Sequence, residues 1–447
     1  MFLRITGRIF LNVQSMNAQG GGGTNYIEIT KVPIILKSNG NYKPCEVPAI
    51  SGNMIKHYHF VGFTERFKQT PYAQNLTWDA SRAYVALRFD RGKTAKKANG
   101  QEISLQSEGE ILSHFADADL HGFLAPDTQC RRESILKFSF FVPVEEFVEE
   151  VEVKAVVHNR VDVDEEGKIP PREEGAMMFF KREYTSAPYG FLMSFDLPYS
   201  GLTLASMNSP NVLGVLERQS RVKSAILGLM DLLSGRAGAS LSRAFPAAKV
   251  EELIVASSEE PLPALVHGFY KDYAEQSAKI LKAYKSLSST DITVNLYARN
   301  SQRKSELEQM LKDSQSSLEV KVFDDFISLL SDAEKSAEEV IASMAMKELK
   351  EIQEKVSLQS KEEIKKVLEN WQNLLAKAQE IYPAIWEEYN LLEQSMESED
   401  KDLKKLADEL REANSTEKRT ELIKALREGI EKKKNKKKEE EGEGSGS

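Results

Sequence analysis

The stretch SGNMIKHYH, residues 51–59, places Lys56, His57 and His59 within four positions of a chain that has six histidines in all. Three chemistries could use such a cluster. A metal site would need more donors than two imidazoles with no cysteine or carboxylate beside them. Acid–base cleavage of RNA needs a base and an acid on opposite sides of the scissile phosphate, whereas residues i and i+2 of a helix diverge by about 200°. Contact with RNA asks for less: a cation for a phosphate, and rings that stack or donate to the backbone. Against all three stands the bland alternative of histidines packed in a core or lying on a surface without a role.

Other segments carry related side chains. FLRITGRIFLNVQ alternates as a strand, with Leu3, Ile5, Gly7, Ile9, Leu11 and Val13 on one face and Arg4, Thr6, Arg8, Phe10, Asn12 and Gln14 on the other. SMNAQGGGG follows, so Arg8, Asn17 and Gln19 sit at and beyond the end of this strand beside an open glycine run. An ordinary solvated face is the alternative. GRAGASLSRAFP contains Gly235, Arg236, Gly238, Ser242 and Arg243; it lacks the G-K-[ST] ending of a phosphate-binding P-loop. Its readings are a helix C-terminus with a surface turn, or a ribose–phosphate cradle. Asp117 and Asp119 invite a nuclease reading but have no third carboxylate or histidine base in reach, and Arg131 and Arg132 are better placed as phosphate contacts. His158 and Arg160 lead into a charged, proline-containing stretch, HNRVDVDEEGKIPPREEG, that reads as a protruding hairpin or loop. At its return stand Met177, Met178, Phe179 and Phe180, either core residues or wedges against a base.

These segments need a scaffold, and 447 residues suffice for two or three domains. A content of 41% hydrophobic and 29% charged residues suits a water-soluble protein. No apolar run approaches a membrane span and no basic-then-apolar leader opens the chain, so a cytoplasmic protein with no membrane contact is expected. Cys45 and Cys130 suggest neither disulfide nor metal, and no metal or cofactor is expected. The net charge of −9 is uneven: residues 1–100 hold 14 Lys/Arg against 5 Asp/Glu, and residues 101–150 hold 3 against 11. Such a division suits a polyanion on one face and a neighbouring copy on another. Ser51 is a helix N-cap for NMIKHYHFVGF, and PNVLGVLERQSRVKSAILGLMDLL is a long helix. From about residue 303 the composition turns helical and acidic, and EKKKNKKKEEEGEGSGS reads as a disordered charged tail.

In order along the chain, ITGRIFLNVQSMNAQG, AISGNMIKHYHF, DADLHGFLAP, AMMFFKREYTSAPYGF and GRAGASLSRAFP resemble the backbone subunit of type I CRISPR interference (Cascade) complexes, the Cas-seven or DevR family of the RAMP superfamily, most closely its archaeal subtype I-A branch. The resemblance covers about residues 1–300. It implies an α+β fold: a ferredoxin-like, RNA-recognition-motif palm over 1–330, with fingers inserted at about 60–130 and a thumb at about 158–185. A helical acidic extension over 331–430 and a disordered tail over 431–447 lie beyond it. The function implied is antiviral and not enzymatic. Copies line up in a helical filament on CRISPR RNA, a thumb residue (Met177, Met178 or Phe179) displaces a base, and the guide is presented to target DNA. Partners would be further copies and the other Cascade subunits: small, large, helicase/nuclease and five-prime-end-capping. The rivals are a metal-independent endoribonuclease of the same superfamily that processes CRISPR RNA, and a helical interaction or regulatory protein acting through residues 303–447.

Overall fold

The computed structural model describes residues 1–15, 17–23, 26–38, 40–86, 92–161, 177–203, 212–239, 241–242, 244–288, 290–312, 318–357, 391, 394–395, 400–412 and 416–443. It divides into two compact units, Met1–Glu348 and Leu349–Ser447. The alternation of the opening segment makes β1 (Phe2–Gln14) a strand with one apolar face. It is followed by the glycine-rich β2 (Ala18–Gly23), β3 (Tyr26–Ile29), and a separate hairpin of β4 (Lys31–Ser38) and β5 (Asn41–Pro48). Ser51, in extended backbone, accepts a hydrogen bond from Met54 N and so caps α1 (Gly52–Phe67).

An inserted subdomain comes next. It contains α2 (Trp78–Ala83), β6 (Thr94–Lys96), β7 (Glu102–Ser104), α3 (Glu108–His114), α4 (Ala116–His121), β8 (Phe123–Ala125) and β9 (Cys130–Arg132). Its small core includes Ile103, Ile111, Leu112, Phe115 and Phe123. The stretch SEGEILSHFADADLHGFLAPD contains two helices, because Phe115 leaves helical backbone at φ −130°, ψ 98°.

The chain returns to the main sheet with β10 (Leu136–Phe138), β11 (Val142–Pro143), β12 (Val153–Val161) and the long β13 (Met177–Asp196). After α5 (Val215–Leu233) it adds β14 (Ala247–Ser258), then α6 (Tyr273–Leu287), β15 (Thr293–Ala298), α7 (Ser301–Lys312) and β16 (Glu319–Phe323). The strand order is β16-β15-β14-β1-β13-β3-β2, with β10, β11 and β12 also paired to β13. Around β1 every pairing is antiparallel: β14 on one side, β13 on the other, and β10 and β11 beyond β13. The registers Leu3↔Phe195, Ile5↔Met193 and Ile9↔Tyr189 align the apolar rows, which join α1 and α5 in one core with Val250, Leu253 and Val255. A second core packs α6 and α7 on Ile254, Ala256, Val294 and Leu296. The fold is α+β.

Helix α8 (Phe326–Ser357) begins in the first unit, where Lys223 pairs with Glu334 at 2.8 Å and Gln219 donates to Glu338 O at 3.1 Å. In the second unit, α9 (Lys401–Glu412) and α10 (Thr416–Glu443) pack through Leu403, Leu410, Leu422, Leu426 and Ile430. The lysine- and glutamate-rich end, expected to lack structure, is helical as far as Glu443; both residue types are good helix formers and no proline interrupts them. No helix of the described residues is long and apolar enough to cross a membrane.

Candidate nucleic-acid interface

Four arrangements account for the residues singled out by chemistry, and two of them are interior. The polar face of β1 is the first. Instead of meeting solvent, it is covered by the segment after β14. Arg4 Nε donates to Leu262 O at 2.9 Å, Thr6 Oγ1 to Val266 O at 2.8 Å, Arg8 Nε to Gly268 O at 2.9 Å and Arg8 Nη2 to Tyr270 O at 3.0 Å. Arg4 also pairs with Asp196, Arg8 with Glu146, and the Arg8 guanidinium lies 5.1 Å from the centre of the Tyr273 ring. The crossing is so close that a Cβ on Gly268 would stand 2.1 Å from Gly7 O, and one on Gly190 would stand 2.2 Å from the Gly268 backbone. Arg8, expected at an RNA, thus spends its donors on the chain itself.

The second arrangement lies under α1 and α4. Arg132 is buried with all five guanidinium donors used: Nε to Asp119 O, Nη1 to Glu108 and Leu202 O, Nη2 to Asp119 and Tyr199 O, at 2.7–3.0 Å. Asp119 further accepts from Arg221, Ser200 Oγ and Gly201 N, while Asp117 accepts from Thr77 N and Oγ1. Burial pushes the Asp117 carboxyl up. Both aspartates therefore join α4 to neighbouring loops. Among the described residues no three His, Cys, Asp or Glu side chains are grouped to hold a metal.

His59 is equally interior. Its Nε2 donates to Ala225 O at 2.9 Å, which leaves Nδ1 to accept from His121 Nε2 at 3.0 Å. That chain of bonds requires the His59 ring neutral. Burial lowers His59 to about 4 and holds His121 well below its ordinary value. His59 and Arg132, both expected to contact RNA, are walled off by the helix α5 and the inserted subdomain. Arg131, next to Arg132 on β9, is exposed by strand alternation.

The third arrangement is accessible. His57 is on the exposed face of α1 and Lys56 is half-buried beside it, its ammonium pKa lowered by desolvation. Asn17 positions this end of the helix: its Oδ1 accepts from Ser51 Oγ at 2.8 Å and its amide donates to Thr30. Gln19 lies on β2, but its side chain falls outside the described residues.

The fourth is the β12–β13 ribbon and the loop after α5. His158 stacks on Phe180 at 5.1 Å and meets the Tyr184 hydroxyl at 2.9 Å, while Phe179 is 53% exposed. The side chains of Arg160, Met177 and Met178, and residues 162–176 between them, fall outside the described residues. Gly235 takes φ +79° after α5, and Arg236 Nη1 pairs with the buried Asp231 at 2.7 Å while its side chain stays half-exposed. Gly238 is half-buried, Ser242 is exposed, and Arg243 lies outside the described residues. Sequence reasoning passed over Phe245 and Val13, 65% and 58% exposed, which with Val156 and Tyr184 line an open groove at the foot of the ribbon. Val13, a β-branched residue at φ 55° beside a bulge in β1, has a conformation that alternation alone does not announce.

The family model for CRISPR-associated negative auto-regulator DevR/Csa2 matches residues 5–278. A CRISPR-associated protein Cas7/Cst2/DevR of Methanocaldococcus jannaschii is 51% identical over 291 residues, which are 64% of this chain and 90% of that protein. A protein of the same description from Thermoproteus tenax is 37% identical over 63% of this chain and 82% of its own length. A CRISPR-associated aCascade subunit Cas7/Csa2 of Saccharolobus solfataricus is 28% identical over 58% and 81%. Among solved structures, a chain of a CRISPR RNA-guided surveillance complex is matched with a TM-score of 0.40 and 12% identity, over 75% of this chain and 100% of that one.

Proposed function

Because this chain belongs to the CRISPR-associated DevR/Csa2 family, we propose that it is a non-catalytic backbone subunit of a Cascade complex, binding CRISPR RNA along its length and presenting it to target DNA. One observation carries the reading. The family match over 5–278 contains every residue singled out for RNA contact, from Arg8 to Arg243. The strand order supports the finer fold: β14-β1-β13-β10/β11, with α1 after β1 and α5 after β13, is the order of a ferredoxin-like βαββαβ palm. The inserted subdomain then plays the fingers and the β12–β13 ribbon the thumb. The outer face of β1, where such palms commonly stack bases, is occupied by residues 262–270. RNA contact in this reading falls to His57, Lys56, Arg131, the ribbon and the loop after α5.

A backbone subunit must accept any guide, so phosphates and riboses are held and base edges are left for pairing. The rival endoribonuclease needs an acid and a base across one phosphate. His57 is exposed and His59 is an interior neutral ring, so these two cannot flank one. The test is to purify the full chain at low salt and measure bound RNA, its nuclease-protected lengths and the salt dependence of rebinding. Protected lengths rising in regular steps support a filament with a fixed footprint. Length-independent one-to-one binding to a hairpin, or metal-independent cleavage of repeat RNA, would overturn the proposal.

A further inference from the structure

Most of the positive charge of the first hundred residues falls after the middle of α1 in sequence, and its described part lies beside the loop after α5, whose Arg236 stands 3.8 Å from Glu65. Residues 66–100 hold eight Lys/Arg against two Asp/Glu, a net +6 of the +9 found over 1–100. At this corner two aromatic rings carry cations. The Arg82 guanidinium stands 4.4 Å from the centre of the Trp78 ring, one helical turn away on α2, and Lys68 Nζ stands 4.1 Å from that of Tyr84. Trp78 is 37% exposed, and Arg82 and Val85 are exposed too. Tyr84 ends α2 in left-handed backbone at φ 54°, an uncommon conformation for a bulky residue, which turns its ring back under Lys68. A bridge between Thr77 and Lys97 and the bond from Ala98 N to Leu76 O bring the end of β6 against the start of α2. Lys93 and Lys96, both exposed, extend the corner from that side.

Four acidic side chains lie near these residues, and one of them, Asp127, accepts from Gly92 N at 2.8 Å beside Lys93. Glu65 takes the Tyr84 hydroxyl and lies 3.8 Å from Lys68, Asp79 is on α2, and Glu102 is opposite Lys96 in the β6–β7 register. Among the described residues no carboxylate lies within salt-bridge distance of Arg82, Lys93 or Lys96. A partly exposed indole with a stacked guanidinium, and exposed lysines nearby at Lys93 and Lys96, matches what single strands require: a surface for a base and cations for the adjoining phosphates.

We propose that Trp78, Arg82, Lys68, Lys93 and Lys96 form a platform that binds single-stranded nucleic acid without sequence preference, as a second site apart from the one at the N-terminus of α1. Lys56 and Lys68 stand 12 residues apart along and just beyond α1, about 18 Å at 1.5 Å per residue. RNA and DNA share the chemistry the platform reads.

The chain has three tryptophans, Trp78, Trp371 and Trp386. In full-length protein carrying Trp371→Phe and Trp386→Phe, Trp78 alone reports. Titrating it with labelled (dT)20 and (U)20 gives the anisotropy of the oligonucleotide and the emission of Trp78 together. The platform predicts quenching that tracks binding. Arg82→Glu with Lys96→Glu should weaken binding about tenfold or more and lower the salt slope by more than one, since each phosphate contact on a single strand contributes about 0.7. Equal affinity for both oligonucleotides fits the shared chemistry; a preference for one names the source. Unchanged thermal melting of the double variant shows that the fold is kept, and Trp78→Ala, which removes the stacking surface, should also weaken binding. If anisotropy rises while Trp78 emission stays constant and the charge-reversed variant binds within twofold of the parent, the platform is refuted and the guide-binding proposal stands. If no oligonucleotide or guide RNA binds at all, both fail.

Discussion

The outer face of β1 and the corner between α2 and β6 form an instructive pair. Both present arginine beside an aromatic ring, Arg8 with Tyr273 and Arg82 with Trp78. On β1 the Arg8 guanidinium donors meet backbone carbonyls of a covering segment and the Glu146 carboxylate. At the corner Arg82 is exposed, and among the described residues no carboxylate lies within salt-bridge distance of it. The type of side chain is the same in the two places; what differs is whether the chain has already supplied the acceptors. A cation that has spent its donors internally contributes to stability, and one that has not contributes to binding. Substitutions that separate these two readouts test the distinction.

The largest effect is expected at Arg132. Removing one partner of a buried ion network leaves the others uncompensated, typically at a cost of 3–5 kcal/mol. Arg132→Ala should destabilise the first unit by about that amount in urea or thermal unfolding, since Asp119 and Glu108 would remain buried. Its neighbour Arg131, exposed on the same strand, should tolerate alanine within about 0.5 kcal/mol. A small change at Arg132 would mean that the network is open to water, and the contrast would collapse.

Acidification probes the interior histidines next. His59 titrates near 6.5 when unfolded and about 4 when folded. Between those values the unfolded chain binds more protons, so stability is complete above pH 6.5 and is lost as pH falls. From pH 7 to pH 5 the loss is about 2 kcal/mol from His59 alone, and His121 acts in the same direction. Denaturation at a series of pH values measures it. A stability flat from pH 7 to 5 would contradict a neutral interior pair. His57, two positions away and exposed, supplies the counterpart: His57→Ala with Lys56→Glu should leave the melting temperature nearly unchanged but weaken guide binding about tenfold and lower the salt slope by about one. Loss of stability without loss of binding would place these residues on the structural side.

How much could be read in advance follows the same line. The strand alternation of β1, the Ser51 cap and the long helix over α5 were legible because each depends on residues near in sequence. The covering of the polar face of β1 by residues 262–270 was not, since alternation distinguishes two faces without saying what lies on either. The same limit applied to the histidines. Spacing correctly set His57 and His59 on different sides of α1, but only the packing of α5 and α4 determines which of them is interior. Glycines 7, 190 and 268 carried a faint signal of that packing, as positions where two backbones could meet. The platform at Trp78 and Arg82 was readable in principle from their i, i+4 spacing, but RAYVALRFDRGKTAKKANGQE, which begins at Arg82, reads locally as a strand running into a basic, glycine-containing loop.

The smallest effect is expected from removing residues 358–447, the greater part of the second unit. The family match ends at residue 278, and the described residues of Leu349–Ser447 have a leucine core of their own. The charge of this unit is mixed, with a run of six lysines between 432 and 438 followed by glutamates, and such a helix surface is ordinarily satisfied by solvent and by neighbours along the helix. A chain ending at Ser357, the last residue of α8, should therefore melt within a few degrees of the full-length protein and bind guide RNA within about twofold of it, measured by anisotropy at equal salt. A fall of tenfold or more, with melting unchanged, would assign the extension a share of the RNA contact and move the lysine run from the solvated class of cations to the binding class. Loss of every interaction would favour the view that residues 303–447 are the working part of the protein. An unchanged affinity leaves binding with the exposed cations of the first unit, where His57, Arg131 and Arg82 face solvent.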